Sequence, residues 1–172
     1  MGYELGHFSE WSEQHQLDWN LLGYPAHLDL YHYLNALNKV YLKTPALYQE
    51  DYDPAAFRFI KTNRGDVLAF ERRGGTQRIL AVFNFGGCDY PEVVLSMPEP
   101  AELTEIFSSS GESGNDPVLL SDERAVSVRY PQPGREYRLT LNLNALSGIL
   151  YTVKEMPVKE TAAETVRTTA KK

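Results

Sequence analysis

Several functional classes are closed off by what this sequence lacks. It has a single cysteine, Cys88, so no disulfide forms within the chain. Cys88 reads as a small residue in a loop after a strand, and a cytoplasmic setting is the expectation. No apolar run approaches the roughly 18 to 20 residues of a membrane span. The opening Met1-Gly2-Tyr3-Glu4-Leu5 lacks the basic start and apolar stretch of a secretory signal. Positive charge is scarce: 17 basic against 23 acidic residues give a formal net charge of -6, with no long basic stretch. A nucleic-acid or anionic-membrane partner therefore has little electrostatic support. No Gly-rich phosphate loop sits on a strand–helix junction, and Gly111-x-x-Gly114 is in the wrong context. Of the four histidines, His7, His15, His27 and His32, the last two are five apart and fall on different faces of a helix. No metal site and no cofactor is expected.

What is present suits a globular protein with a core: 172 residues, 42% hydrophobic and 23% charged. That length favours one domain, or one domain plus part of another. Residues 1–23 are rich in aromatic and polar side chains without clear periodicity and read as a long loop. Residues 25–43 read as a helix. Pro25 suits its first turn, and Leu30, Tyr33, Leu34, Leu37, Val40 and Tyr41 form one apolar stripe. Lys39 and Lys43 sit where the helix dipole favours them, and Pro45 stops the helix by restricting Thr44.

From residue 57 the pattern changes to strands: Phe57–Lys61, Val67–Arg72, Arg78–Phe85, Glu92–Ser96, Glu102–Phe107, Ala125–Tyr130, Glu136–Leu143 and Gly148–Val153. Gly74-Gly75 marks a hairpin. Alternation puts Tyr137, Leu139, Leu141 and Leu143 on one face. Phe59, Phe70, Phe83, Phe107 and Tyr137 read as core. About eight short strands with frequent turns indicate an antiparallel sandwich, so the fold class is mainly β. Ser108 to Asp116 reads as a flexible loop. Residues 156–172 have too little apolar surface to offset ordering entropy and read as a disordered tail.

An ordered series of short elements carries a family resemblance. Met1-Gly2-Tyr3-Glu4-Leu5-Gly6, Glu10-Trp11 and Leu17-Asp18-Trp19-Asn20-Leu21-Leu22 come first. His27, Leu37-Asn38, Tyr41, Pro45-Ala46-Leu47, Asp53-Pro54 and Phe57 follow, then Asn84-Phe85 and the run Tyr137 to Tyr151. Over roughly residues 1–153 the chain resembles the C-terminal portion of 1,4-alpha-glucan (glycogen) branching enzymes, in the alpha-amylase superfamily. The Ser108 to Asp116 loop departs from the family pattern. The resemblance implies a C-terminal antiparallel β-sandwich preceded by the last loop and helix of a (β/α)8 barrel. Residues 1–45 would end the barrel, 46–56 would be a linker and 57–155 the sandwich.

The chemistry implied by the resemblance is retaining transfer between glucan chains, which needs two carboxylates about 5 Å apart across the bond. In the family these groups, and a third assisting carboxylate, lie upstream of the matched segment. No catalytic residue is therefore expected here, and the chain alone is expected to be inactive and structural. Glu4, Glu10, Glu13 and Asp18 have no scaffold to fix their separation. Trp19, Trp11 and Tyr3 are the candidate glucan-binding residues, because sugar faces stack on aromatic rings.

The expected partners are an alpha-glucan in the parent enzyme and the missing catalytic barrel, with self-association through helix 25–43. A stand-alone carbohydrate-binding sandwich is the alternative. A fragment should leave the stripe Leu30, Leu34, Leu37 and Tyr41 exposed, whereas a free module should not.

Overall fold

The computed structural model describes residues 2–99, 101–110, 125–126 and 137–155. Two 3-10 turns, Tyr3–Leu5 and Trp19–Gly23, lead into helix α1, Pro25–Lys43. Two more, Pro45–Leu47 and Pro54–Ala56, precede the strands β1 (Phe57–Thr62), β2 (Val67–Gly74), β3 (Gln77–Asn84) and β4 (Tyr90–Met97). Then come β5 (Ala101–Ser108), β6 (Ala125–Val126), β7 (Tyr137–Leu143) and β8 (Ser147–Glu155). The segment 1–23 is thus not a plain loop. Its two turns are anchored by Leu5 and Leu21, both buried, and both turns pack on α1. Such anchoring is tertiary and leaves no periodic signal.

All pairings are antiparallel, in the order β6-β5-β8-β3-β2-β1-β4-β7. The expected sandwich is built from one sheet that turns a corner at β1. Phe57 to Ile60 pair with β2, whereas Lys61 and Thr62 pair with β4. The curl encloses an aliphatic core of Val67, Ala69, Leu80, Val82, Val93, Leu95, Leu103, Leu139, Leu141 and Leu143, among others. β2 and β3 form the hairpin foreseen at Gly74-Gly75. Gly74 faces Gln77 across a two-residue turn, and Gly75 has φ +56°, a conformation that favours glycine. Gly74 itself allows a close approach: a Cβ there would lie 2.6 Å from the Pro45 carbonyl oxygen. That contact seats the 3-10 turn at Pro45–Leu47 against β2, where the Ala46 N–H donates to Gln77 Oε1.

Helix α1 begins and ends as the sequence demands, at Pro25 and at Lys43 before Thr44-Pro45. Its stripe, however, is not left bare. Tyr33, Ala36, Leu37 and Val40 pack on the outer face of the sheet against Ala81, Phe107, Leu150, Phe70, Phe83 and Ile106. Leu30 and Leu34 are half-buried and Tyr41 stays exposed. Burial of a side chain such as Val40 contributes about 1.5–3 kcal/mol, enough to hold the helix on the sheet. An exposed stripe therefore cannot serve to separate a fragment from a free module, and helix 25–43 has less apolar surface to offer a second copy than its sequence suggests.

The aromatic assignments also need correction. Phe107 is buried and Phe70 and Phe83 are partly buried under α1, but Phe59 is 68% exposed. On β1 the inward side chains are Arg58 and Ile60, so Phe57 and Phe59 face out. Arg58 points in because Glu71, directly opposite on β2, is 1% exposed and ion-paired with it. Arg78 also binds Glu71, at 2.9 Å, and Glu99, at 2.8 Å, and it pairs with Glu155. This charged cluster occupies the inner face at one end of the core. Side-chain placement at Tyr137, the loop Gly111 to Asp116, residues 127–130 of the expected sixth strand and the tail 156–172 lie outside the described residues.

Candidate functional site

The three candidate aromatics sit in the segment before α1. Tyr3 lies on the first 3-10 turn, Trp19 on the second and Trp11 on the stretch between them. The two turns touch each other and α1. Their leucines point inward and their aromatics outward: Tyr3 is 86% exposed, Trp11 53% and Trp19 57%. These rings therefore do not form a satellite core under the segment. They are presented to solvent by a small scaffold whose buried members are Leu5 and Leu21.

Polar contacts fix that scaffold. His27, on α1, hydrogen-bonds to the Leu5 carbonyl at 2.7 Å, and the Asp18 N–H donates to His7 Nε2 at 3.2 Å. Two of the four histidines thus serve as structural pins. Among the described residues no group of three or more His, Cys, Asp or Glu side chains is arranged to hold a metal ion. The same scaffold displays two rings that the sequence reasoning passed over. Phe8 and Tyr24 are exposed and meet the His27 ring edge-on, with centroids 5.3 and 6.2 Å away. The aromatic density of residues 1–24 was the available signal for them. An exposed apolar ring beside polar groups suits a sugar face, which is itself apolar and edged with hydroxyls.

A separate set of polar contacts centres on Asn84. It is buried at the end of β3, and its amide group donates to the Cys88 and Asn144 carbonyls at 3.0 and 2.8 Å while its oxygen accepts from the Gly86 N–H at 2.8 Å. It ties two loops together at one end of the sheet. The following Phe85 remains exposed and stacks on Phe83. Cys88 is exposed in the loop after β3, where the sequence had it. Nearby, the Tyr90 hydroxyl donates to Asp66 at 2.5 Å, and that bond to a carboxylate pushes its pKa up.

Comparison with known proteins places this architecture. The family "Alpha amylase, C-terminal all-beta domain" matches residues 60–154, more than half of the chain. The chain belongs to that family. Its relatives extend the match beyond the domain. It is 36% identical over 158 residues to the 1,4-alpha-glucan branching enzyme GlgB of Corynebacterium diphtheriae, covering 87% of this chain and 21% of that enzyme. It is 33% identical over 161 residues to the enzyme of the same name from Gloeobacter violaceus, covering 88% and 21%. The chain thus spans about a fifth of the length of the curated relatives it matches. Among solved structures, trehalulose synthase MutB from Pseudomonas mesoacidophila MX-45 aligns with a TM-score of 0.49 at 19% identity, over 81% of this chain and 21% of that one.

The family's all-β domain begins at β1 and ends in β8, which is the curled sheet described above. No helix among the described residues is long and apolar enough to cross a membrane.

Proposed function

We propose that this chain is the C-terminal part of a 1,4-alpha-glucan branching enzyme, serving the transfer of alpha-1,4-linked glucan segments to alpha-1,6 positions. In this reading residues 1–45 complete a catalytic barrel, 46–56 link it to the all-β domain, and 57–155 brace the barrel. One observation carries it: the similarity to branching enzymes runs over 158 residues, longer than the all-β domain itself, so it includes the segment before that domain. A domain common to the alpha-amylase superfamily would not require that extension. Trp19, Trp11 and Tyr3, held outward at the start of the chain, are the groups that would contact glucan. The setting proposed is cytoplasmic, as the single exposed cysteine and the substrate class suggest.

The test is a chimera in which this chain replaces the matching C-terminal fifth of the Corynebacterium diphtheriae enzyme. The chimera is expected to form branch points on amylose, measured by debranching and chain-length analysis. The chain alone, and the truncated enzyme alone, are expected to form none. A folded but inactive chimera, or branching by the isolated chain, would contradict the reading.

A further inference from the structure

We infer that His7 acts as a pH-operated latch on the segment before α1, exchanging the backbone of Asp18 for its carboxylate as the ring gains charge. The contact joins the two turns that carry exposed aromatics. His7 follows the first 3-10 turn, and Asp18 is the residue at which the second, Trp19–Gly23, begins. The His7 side chain is 13% exposed, so a proton added to its ring meets protein groups more than water.

The hydrogen-bond pattern fixes the state of the ring. A neutral imidazole has one N–H donor and one bare nitrogen that accepts. Nε2 accepts the Asp18 N–H at 3.2 Å, so Nε2 is bare and the proton sits on Nδ1. Nδ1 lies 3.6 Å from Asp18 Oδ2, just beyond hydrogen-bond length. A proton added to Nε2 turns the acceptor into a donor and sets two N–H groups against each other. The same charge strengthens the pull of the carboxylate. Asp18 is free to respond, because its side chain caps no N–H of the turn and is 52% exposed. The ring has less freedom: a Cβ on Gly2 would lie 3.3 Å from Nε2, so the Gly2 backbone stands close against it. The Asp18 carbonyl accepts the Leu21 N–H at 3.0 Å. A change at Asp18 is therefore passed to the turn that buries Leu21 and displays Trp19.

His27 is the contrast. Its Nδ1 bonds the Leu5 carbonyl at 2.7 Å. A carbonyl only accepts, so Nδ1 carries the proton in the neutral ring and keeps it in the charged one. Charging His27 leaves that pin in place, whereas charging His7 breaks the bond it makes now. The segment thus stays on α1 while its second turn is reset. Among the described residues, Asp18 is the carboxylate at ion-pair distance from His7; Glu4 on the first turn, Glu10 and Glu13 on the connecting stretch and Asp29 on α1 form no ion pair with it. Histidine is the side chain whose charge ordinarily changes between pH 5 and 8, which sets the range in which the latch works. Nothing in this device depends on the chain being part of a branching enzyme, so it and the chimera assay can fail separately.

The test is made on the whole 172-residue chain by nuclear magnetic resonance, over the range from about pH 8 to about pH 5. At the upper end, proton–nitrogen correlation through the rings is expected to show the Nδ1–H tautomer for both His7 and His27. As the pH falls, protection of the Asp18 amide, corrected for intrinsic exchange, is expected to drop about fivefold, the factor that one ordinary hydrogen bond carries. The Asp18 carboxylate carbon and the Trp19 indole N–H should shift with the same midpoint as the His7 ring, while the Leu5 carbonyl carbon stays put. His7→Gln provides a carbonyl acceptor that does not titrate, so its Asp18 amide should keep one level of protection throughout. An Nε2–H tautomer for His7 at the upper pH would overturn the assignment in the wild-type chain alone, whatever a variant does. So would Asp18 protection that is flat with pH, or a drop that persists in His7→Gln. A Leu5 carbonyl shift over the same range would overturn it too, because the whole segment would then be leaving α1.

Discussion

Leu95, in the middle of β4, and Leu5, in the first 3-10 turn, are equally inaccessible to solvent, yet they sit in regions of different kinds. Around Leu95 the curled sheet closes on itself, and among the described residues its core draws on β1 to β5, β7 and β8. Around Leu5 a short segment rests on one helix, held by a histidine–carbonyl bond and two leucines while its aromatics face water. The first region spends its apolar residues on stability. The second uses a few to display the rest. The same burial should therefore carry different consequences. Leu95→Ala is expected to lower the unfolding free energy of the whole sheet by about 3–4 kcal/mol, in the range for a buried leucine. Leu5→Ala should leave the sheet's transition within about 0.5 kcal/mol, because the segment can detach locally. Urea unfolding followed by far-UV circular dichroism measures the first, and amide hydrogen exchange at residues 2–24 the second. Equal global losses would show that the two regions fold as one unit.

A sharper version of the comparison lies inside the sheet, between its aliphatic middle and its charged end. Glu71 is flanked by Arg58 and Arg78, and removing it leaves two guanidinium groups with less compensation in a partly buried site. Glu71→Ala is expected to cost about 3 kcal/mol, near the lower end for breaking a buried ion pair because Glu99 and Glu155 still serve Arg78. The readout is the shift in the urea midpoint at pH 7.

This end of the core also marks where sequence reasoning stopped. Helix 25–43, the Gly74-Gly75 hairpin and the alternation of Leu139, Leu141 and Leu143 were legible because each is written in local spacing. Period-two alternation says which residues share a face, but not which face is inside. On β1 the aromatic set Phe57 and Phe59 looked like the core face. The structure inverts it, because Arg58 finds Glu71 across the strand and Ile60 joins the core. That choice depends on a partner 13 residues away and on one further along the chain at Glu99, neither of which a local pattern contains. The corner at Lys61 and Thr62 escaped for the same reason, since it is set by pairing with β4. At the candidate surface, the aromatic density was legible, whereas the inward leucines that turn the rings outward were not.

The seat between the segment after α1 and the sheet provides a smaller test. A Cβ on Gly74 would meet the Pro45 carbonyl oxygen and the Ala46 Cα at 2.6 and 2.7 Å, both backbone atoms that cannot rotate away. Gly74→Ala is expected to cost about 2 kcal/mol by forcing the 3-10 turn off the sheet. If the turn were only loosely placed, the cost would vanish and the melting temperature would stay at the wild-type value.

The smallest effect expected is the most specific in its pH dependence. Glu99 is drawn two ways: partial burial pushes its pKa up, but the hydrogen bond and charge of Arg78, with help from Arg58, hold it below the ordinary carboxylate value. Its folded pKa is therefore depressed relative to the unfolded chain. The stability this supplies is fully present above the ordinary value of 4.5 and is lost as pH falls through the depressed one. Glu99 is about two-fifths exposed, so solvent screening keeps the contribution under about 1 kcal/mol. Glu99→Gln should lower the urea midpoint slightly at pH 7, and the gap to wild type should narrow as the pH is taken below 4.5. Glu71→Ala provides the contrast, since most of its cost at neutral pH comes from stranding Arg58 and Arg78. A gap between wild type and Glu99→Gln that stays constant down to acid pH would mean that the side chain acts through packing, and that its charge does nothing for the end of the core.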